Sequence, residues 1–468
     1  MGVRRTGGAA LLTAALVLGS GPVEADATPA ATEECAPEGP ALRYLVVFER
    51  RTSDADATTL VDTACGELET YHPEIAVGVA TSADDRFADR LGPHRAFSAG
   101  QAGDDAETSA TTSRPHPDLD GSADLTGRQW NLRAVRAEEA HSRQRGTDDV
   151  VIGVLDSGVD PTHPDLRHAV DRKLSVGCLS GTPDRAPEAW QPTNSAHGTH
   201  VAGILAAADD ERGVTGIAPG ARVASVRVID DDGQVSPEAA VCGLMWAAEH
   251  DFAVVNGSFL VAPWSAACAR GPGHGVVREA LSRALHHAHE EGTLTVVAAS
   301  NKATELTPSH PARNARSGPH ACEALPAGLR EAVSVSASTR SGRKAGYSAY
   351  GLGVIDLTAP GGEAGQCVLS TVPGGYGTLC GTSMAAPHVA GVAALVASDH
   401  PGVTPDELGE RLTATATAVP CPDDYDLTGN GTQNAYCEGY TGYNGFYGHG
   451  RVDALAALTA LARAGSPR

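Results

Sequence analysis

The sequence predicts an α/β protein: a three-layer domain built on a parallel sheet, preceded by a small α/β unit. Three observations lead there. From about Thr126 onward, short apolar strands alternate with helical runs, the pattern of a parallel sheet covered on both faces. Ahead of them, Ala41 to Leu91 reads as a separate strand–helix–strand unit. Between the two lies Ala99 to Asp124, rich in Ala, Ser, Thr, Gly, Asp and Pro, a linker composition. At 468 residues the chain exceeds one simple domain.

The elements follow in chain order. Arg4 and Arg5 precede an apolar run from Gly8 to Gly19 that is too short to span a bilayer, and small residues follow at Ala25 and Ala27. Residues 1–27 are therefore expected to be a signal peptide, leaving a product without a membrane anchor. Residues 28–125 form the next segment. Within it, 43–48 reads as a strand, Ala57–Thr70 has helical spacing, and Glu74–Ala80 reads as a second strand. Residues 126–468 form the main domain. Its expected strands are Val150–Leu155, Ala221–Val228, Phe252–Asn256, Thr293–Ala299 and Ala332–Ala337. Helices are expected near His200–Ala208, Pro237–Glu249, Gly275–Glu291 and Ser383–Ser398, with a packed terminal helix in Val452–Ala462.

Composition narrows the function classes. A formal net charge of −22 argues against a nucleic-acid partner and against anionic membranes. The ten cysteines fit an exported chain with disulfides, and none forms a CxxC pair, so zinc has no support. Cys35 and Cys65 lie early and are expected to pair with each other. Close spacing favours Cys367–Cys380 and Cys421–Cys437, which leaves Cys178–Cys242 and Cys268–Cys322 with the connectivity open.

Three segments carry the chemistry. In Val151-Ile-Gly-Val-Leu-Asp156-Ser-Gly an apolar strand ends in a carboxylate, at the edge where open parallel sheets bind ligands. In His197-Gly-Thr-His200-Val-Ala-Gly203 small residues let a helix begin close against its neighbours. The HxxH spacing lacks the glutamate of a zinc helix, and His200 alone is best read as a packed histidine. In Gly381-Thr-Ser383-Met-Ala-Ala-Pro-His-Val-Ala-Gly391 a serine opens an apolar helix, where free N–H groups and the positive dipole end suit an oxyanion. Taken singly, these read as a turn, a packed helix and an N-cap.

Together, in the order Asp, His, Ser, they resemble the subtilisin-like serine proteases, an order shared with subtilisin. The resemblance runs from about Gln129 to Ala462. More weakly, Tyr44 to Gly78 resembles that family's inhibitory prosegment. The resemblance implies a secreted, extracellular endopeptidase that hydrolyses polypeptides through an acyl-enzyme and is made as a self-processed zymogen. It implies Ser383 as nucleophile, His197 as base and Asp156 as its orienting partner. Asn301, in Val296-Val-Ala-Ala-Ser300-Asn301, would be the oxyanion donor. Ser258, Phe259, Leu260, Ala298, Ala299 and Ser300 would line the substrate site. The implied partners are polypeptide substrates and the chain's own prosegment as inhibitor, in a monomer. No cofactor and no metal ligand is implied, although relatives bind structural calcium. Asp424 to Gly431 is better read as a polar loop than as a calcium loop. Two positions depart from the family pattern: Ser300 and Leu260 each stand where it has glycine. Leu260 thereby opens the alternative of a narrow processing peptidase for one partner protein, and a binding module that has lost catalysis is the third reading.

Overall fold

Seven parallel strands form the centre of a computed structural model that describes residues 35, 39–98, 100, 119, 121–261, 273–307, 323–363, 365–426 and 435–460. The chain divides into Met1–Ala36, of which only Cys35 is described, and Pro37–Arg468. The expected signal peptide, most of the linker, Cys268 and Cys322, and residues 427–434 of the acidic loop lie outside the described residues.

Within Pro37–Arg468 the small N-terminal unit comes first. It holds β1 (Leu42–Val47), α1 (Asp54–Thr63), β2 (Glu67–His72), β3 (Val77–Ser82), α2 (Phe87–Leu91) and β4 (Ala96–Phe97), with sheet order β2-β3-β1-β4. The helix expected over Ala57–Thr70 ends at Thr63. Cys65 adopts φ 72°, Gly66 follows, and Glu67–His72 becomes a strand antiparallel to β3. Spacing alone did not reveal this break, because a left-handed residue ends a helix whatever the later periodicity.

The main domain adds the short helices α3 (Trp130–Ala134), α4 (Ala137–Ala140) and α5 (Pro187–Trp190). Its sheet holds β5 (Val151–Asp156), β6 (Val176–Gly177), β7 (Arg222–Arg227), β8 (Val254–Gly257), β9 (Leu294–Ala298), β10 (Ala332–Ser338) and β11 (Leu357–Pro360). The order is β11-β10-β9-β8-β5-β7-β6, and every pair is parallel. A hairpin of β12 (Val368–Val372) and β13 (Gly375–Leu379) stands apart from it.

The long helices are α6 (His197–Ala206), α7 (Pro237–Glu249), α8 (His274–Glu290), α9 (Thr382–Asp399) and α10 (Pro405–Ala414), with α11 (Ala454–Thr459) near the end. Helices α6 and α9 pack in the core on one face of the sheet, and α7 and α8 in the core on the other. Ser236 caps α7 by accepting from the Ala239 N–H, with Pro237 in the first turn. Thr404 and Glu407 form a reciprocal capping box on α10.

The small unit has its own core around Tyr44, Phe48 and Phe87. The other face of its sheet, with Leu45, Val47, Ile75 and Val77, joins the core of α7 and α8. Arg283 on α8 donates to the carbonyls of Phe48 and Ile75 at 3.0 Å each. Disulfides join Cys367–Cys380 and Cys421–Cys437, as the close spacing suggested, and Cys178–Cys242, whose pairing the sequence left open; Cys35 and Cys65 are both disulfide-bonded.

Candidate active site

Asp156 is the last residue of β5 and is fully buried. Its Oδ1 accepts from the Ser157 N–H at 2.7 Å and meets Nδ1 of His197 at 2.7 Å. His197 opens α6, with its own N–H on the Ser195 hydroxyl. The helix can start there because residue 198 is glycine: a Cβ would come within 2.4 Å of the Gly158 carbonyl and 3.1 Å of Asp156 Oδ1. Burial pushes the His197 imidazole down. The charge and hydrogen bond of Asp156 outweigh that effect, and the net pKa is raised. His200 lies one turn on, wholly buried, with Nε2 on the Val368 carbonyl at 3.1 Å. Burial drives its pKa down to about 3, so it packs as a neutral ring.

Ser383 sits at the start of α9 after Gly381, whose φ of 154° lies outside the range side chains usually adopt. Four residues further on, Pro387 interrupts the helix interior. Lacking an N–H, it cannot donate to the Ser383 carbonyl. That carbonyl instead accepts from the Ser258 hydroxyl at 3.0 Å, while the Ser383 hydroxyl donates back to the Ser258 carbonyl at 3.3 Å. Asn301 follows β9. Its Oδ1 accepts from both the N–H and the hydroxyl of Thr382, each at 2.9 Å. This turns Nδ2 to the other side, 3.2 Å from where a Cβ on Gly381 would lie. Thr382 is thus an anchor that the motif contained but spacing did not single out.

His197, Ser383, Asn301, Ser258, Phe259, Leu260, Ala298 and Ser300 line one cleft. Ala299 does not. Alternation along the strand turns it away, and it is fully buried in the core of α7 and α8. Its expected place in the substrate site is corrected accordingly. Leu260 is half-buried, lines the cleft and packs on that same core. Ser300 takes φ 129°, where a non-glycine residue costs on the order of 1–3 kcal/mol. The glycine of the family pattern therefore answers a real backbone demand. Lys302 and the acidic turn residues Asp230 and Asp231 also line the cleft. Asp230 accepts from the N–H groups of its own turn, and Asp231 pairs with Arg227 at 2.7 Å. Among the described residues no group of three or more His, Cys, Asp or Glu is arranged to hold a metal ion, and no helix is long and apolar enough to cross a membrane.

The arrangement is one known from acyl transfer: a hydroxyl at a helix start, an imidazole held by a buried carboxylate, and an amide beside them. Residues 147–450 match the model of the subtilase family, peptidase group S8. Subtilisin NAT from Bacillus subtilis subsp. natto is 30% identical over 331 residues, covering 70% of this chain and 70% of that one. Among solved structures, a lanthipeptide protease is 26% identical with a TM-score of 0.55, covering 70% of this chain and 93% of its own. The epidermin leader peptide processing serine protease of Staphylococcus aureus has a TM-score of 0.64 and covers 91% of this chain and 100% of its own. At 19% identity that likeness concerns the fold alone.

Proposed function

The chain belongs to the subtilase family of serine endopeptidases, and from that premise we propose that Asp156, His197 and Ser383 are its catalytic triad in an exported enzyme made as a self-processed zymogen. The observation that carries the reading is the 2.7 Å Asp156–His197 contact in the same cleft as Ser383 and Asn301. In the reaction, the Ser383 hydroxyl leaves the Ser258 carbonyl, turns to His197 Nε2 and gives up its proton as its oxygen attacks the peptide carbonyl. The raised pKa of His197 suits it to hold that proton until the amine departs with it. Asp156 keeps Nδ1 protonated and offsets the imidazolium charge. Asn301 Nδ2 and the Ser383 N–H receive the oxyanion, a role worth about 3 kcal/mol for the equivalent amide donor in subtilisin. Water then repeats the sequence on the acyl-enzyme and releases the acid.

The small unit acts as the prosegment. Its docking on α7 and α8 supports this, and the linker, residues 99–124, would be cut by the enzyme itself. The substrates are polypeptides, and the working form is a monomer released outside the cell. A second reading, a processing peptidase with a narrow substrate range, is favoured by Leu260, whose branched side chain occupies the cleft rim. Fluorophosphonate labelling tests catalysis directly. The wild-type chain should take up one label, and Ser383→Ala should take up none and accumulate as uncut precursor. An unlabelled wild type, or normal maturation of Ser383→Ala in a host without other proteases, would overturn the reading.

A further inference from the structure

Lys344 is one of three lysines in the chain, and it is buried to 1% exposure. A buried ammonium normally sits against a carboxylate. Here the hydrogen-bond acceptors of Nζ are two backbone carbonyls, Ala345 at 2.8 Å and Ser348 at 2.5 Å. The rings of Tyr350 and Phe446 lie 5.3 and 5.4 Å away, within range of a cation–π contact. The Lys344 N–H is fixed by the Tyr447 hydroxyl at 3.0 Å. Burial brings the amine's pKa down to about 7, against the opposing charge of Glu363. Charged or neutral, the group keeps at least two N–H donors for the two carbonyls.

What the clamp holds lies next to the catalytic cleft. The turn that starts at Lys344 donates from the Ala349 N–H to the Ser300 carbonyl at 2.9 Å and accepts from the Ala303 N–H at the Tyr347 carbonyl at 2.7 Å. These two bonds bracket Ser300-Asn301-Lys302-Ala303. Ser300 has φ 129° and Ala303 φ 50°, conformations that persist only where the surroundings impose them. The same turn is anchored by the Tyr347 hydroxyl on the Gly362 carbonyl at 2.7 Å and by the Ala337 N–H on the Ser348 hydroxyl at 3.0 Å. A chain of direct bonds therefore runs from Lys344 to the backbone that carries Asn301.

We propose that Lys344 is a positioning residue of the oxyanion hole: it clamps the 345–348 turn, and that turn holds the strained Ser300–Ala303 segment so that Asn301 Nδ2 faces the reacting carbonyl. The proposal rests on the peptidase reading, which labelling of the wild type tests separately. A group acting only through Asn301 affects the step in which the oxyanion forms, so its loss lowers kcat and leaves KM nearly alone.

The test is a double-mutant cycle of Lys344→Met with Asn301→Ala in the full-length chain. Precursors are matured with a trace of tagged wild-type enzyme that is then removed, and active sites are counted by fluorophosphonate titration. Lys344→Met alone should lower kcat by about tenfold to a hundredfold, with KM within about twofold. In the Asn301→Ala background the same change should lower kcat by less than about twofold. If Lys344→Met does not fold, Lys344→Gln, which keeps two N–H donors, takes its place in the cycle with a smaller loss of the same pattern. An equal loss in both backgrounds, or an unchanged kcat in the folded single variant, would overturn the proposal.

Discussion

Arg283 offers a direct handle on the docking of the small unit. Its guanidinium donates to the Phe48 and Ile75 carbonyls at 3.0 Å, and its side chain is 10% exposed. Arg283→Met keeps the aliphatic stem on α8 and removes only the donors. Hydrogen bonds from a charged donor contribute about 1.5–3 kcal/mol each. Both carbonyls regain water once the unit leaves, so a total near the lower end, about 3 kcal/mol, is appropriate. The Glu279 partner is 46% exposed, and its lost ion pair adds little. About 3 kcal/mol corresponds to roughly a hundredfold faster escape of the cleaved unit if the effect falls on dissociation. The assay is dilution of freshly self-cleaved enzyme, with the appearance of peptidase activity followed in time. Wild-type and variant release at the same rate would refute both the energetic role of Arg283 and the idea that this face inhibits.

Three further outcomes are expected. Leu260→Gly should raise kcat/KM for phenylalanyl substrates more than for alanyl ones, by up to roughly 1–3 kcal/mol in the ratio; an unchanged ratio with a lower Tm would place Leu260 in packing alone. His72 faces Glu74, Glu249 and His287, and burial, reinforced by His287, lowers its pKa against the two glutamates. A depressed histidine contributes stability above its unfolded pKa that is lost as pH falls through the folded value; thermal unfolding of the Ser383→Ala precursor between pH 7.5 and 5 should thus fall more steeply than in the same chain with His72→Leu. Replacing Cys367 and Cys380, 13 residues apart, by alanine should destabilise by about 3 kcal/mol in the chain-entropy model, read as a lower midpoint in urea.

The sequence was most readable where one physical signal dominated. Strands β5, β7, β8, β9 and β10 are short, Val- and Ala-rich segments that are almost wholly buried even where small polar residues such as Ser334 and Ser336 interrupt them, and each lies within a few residues of its expected span. The motifs around Asp156, His197 and Ser383 carry glycines whose close approaches leave little freedom. Reading failed where the determinant was a single dihedral or a distant partner. Cys65 ended a helix through its φ. The hairpin of β12 and β13 escaped notice because Gly375 and Gly377 dilute the strand pattern, although Pro373-Gly374 marks its turn. The resemblance implies a run of substrate-site residues through Ala299, while the pleat turns that side chain into the core. The Lys344 clamp was invisible, since nothing in a lysine's neighbours along the chain says that its amine is buried.

Pro387 has a mechanical consequence. The helix that carries Ser383 lacks one internal support, and the substitute comes from Ser258, 125 residues away in the chain. Stiffness at the head of α9 is therefore a joint property of two segments. An extended ligand laid along residues 258–260 would press on the same strand end that steadies the Ser383 carbonyl. A distortion of that wall, whether from a bulkier ligand or from a change at Leu260, reaches the backbone of Ser383 through one hydroxyl and bypasses the imidazole. The fit of the wall and the alignment of the serine are mechanically a single variable.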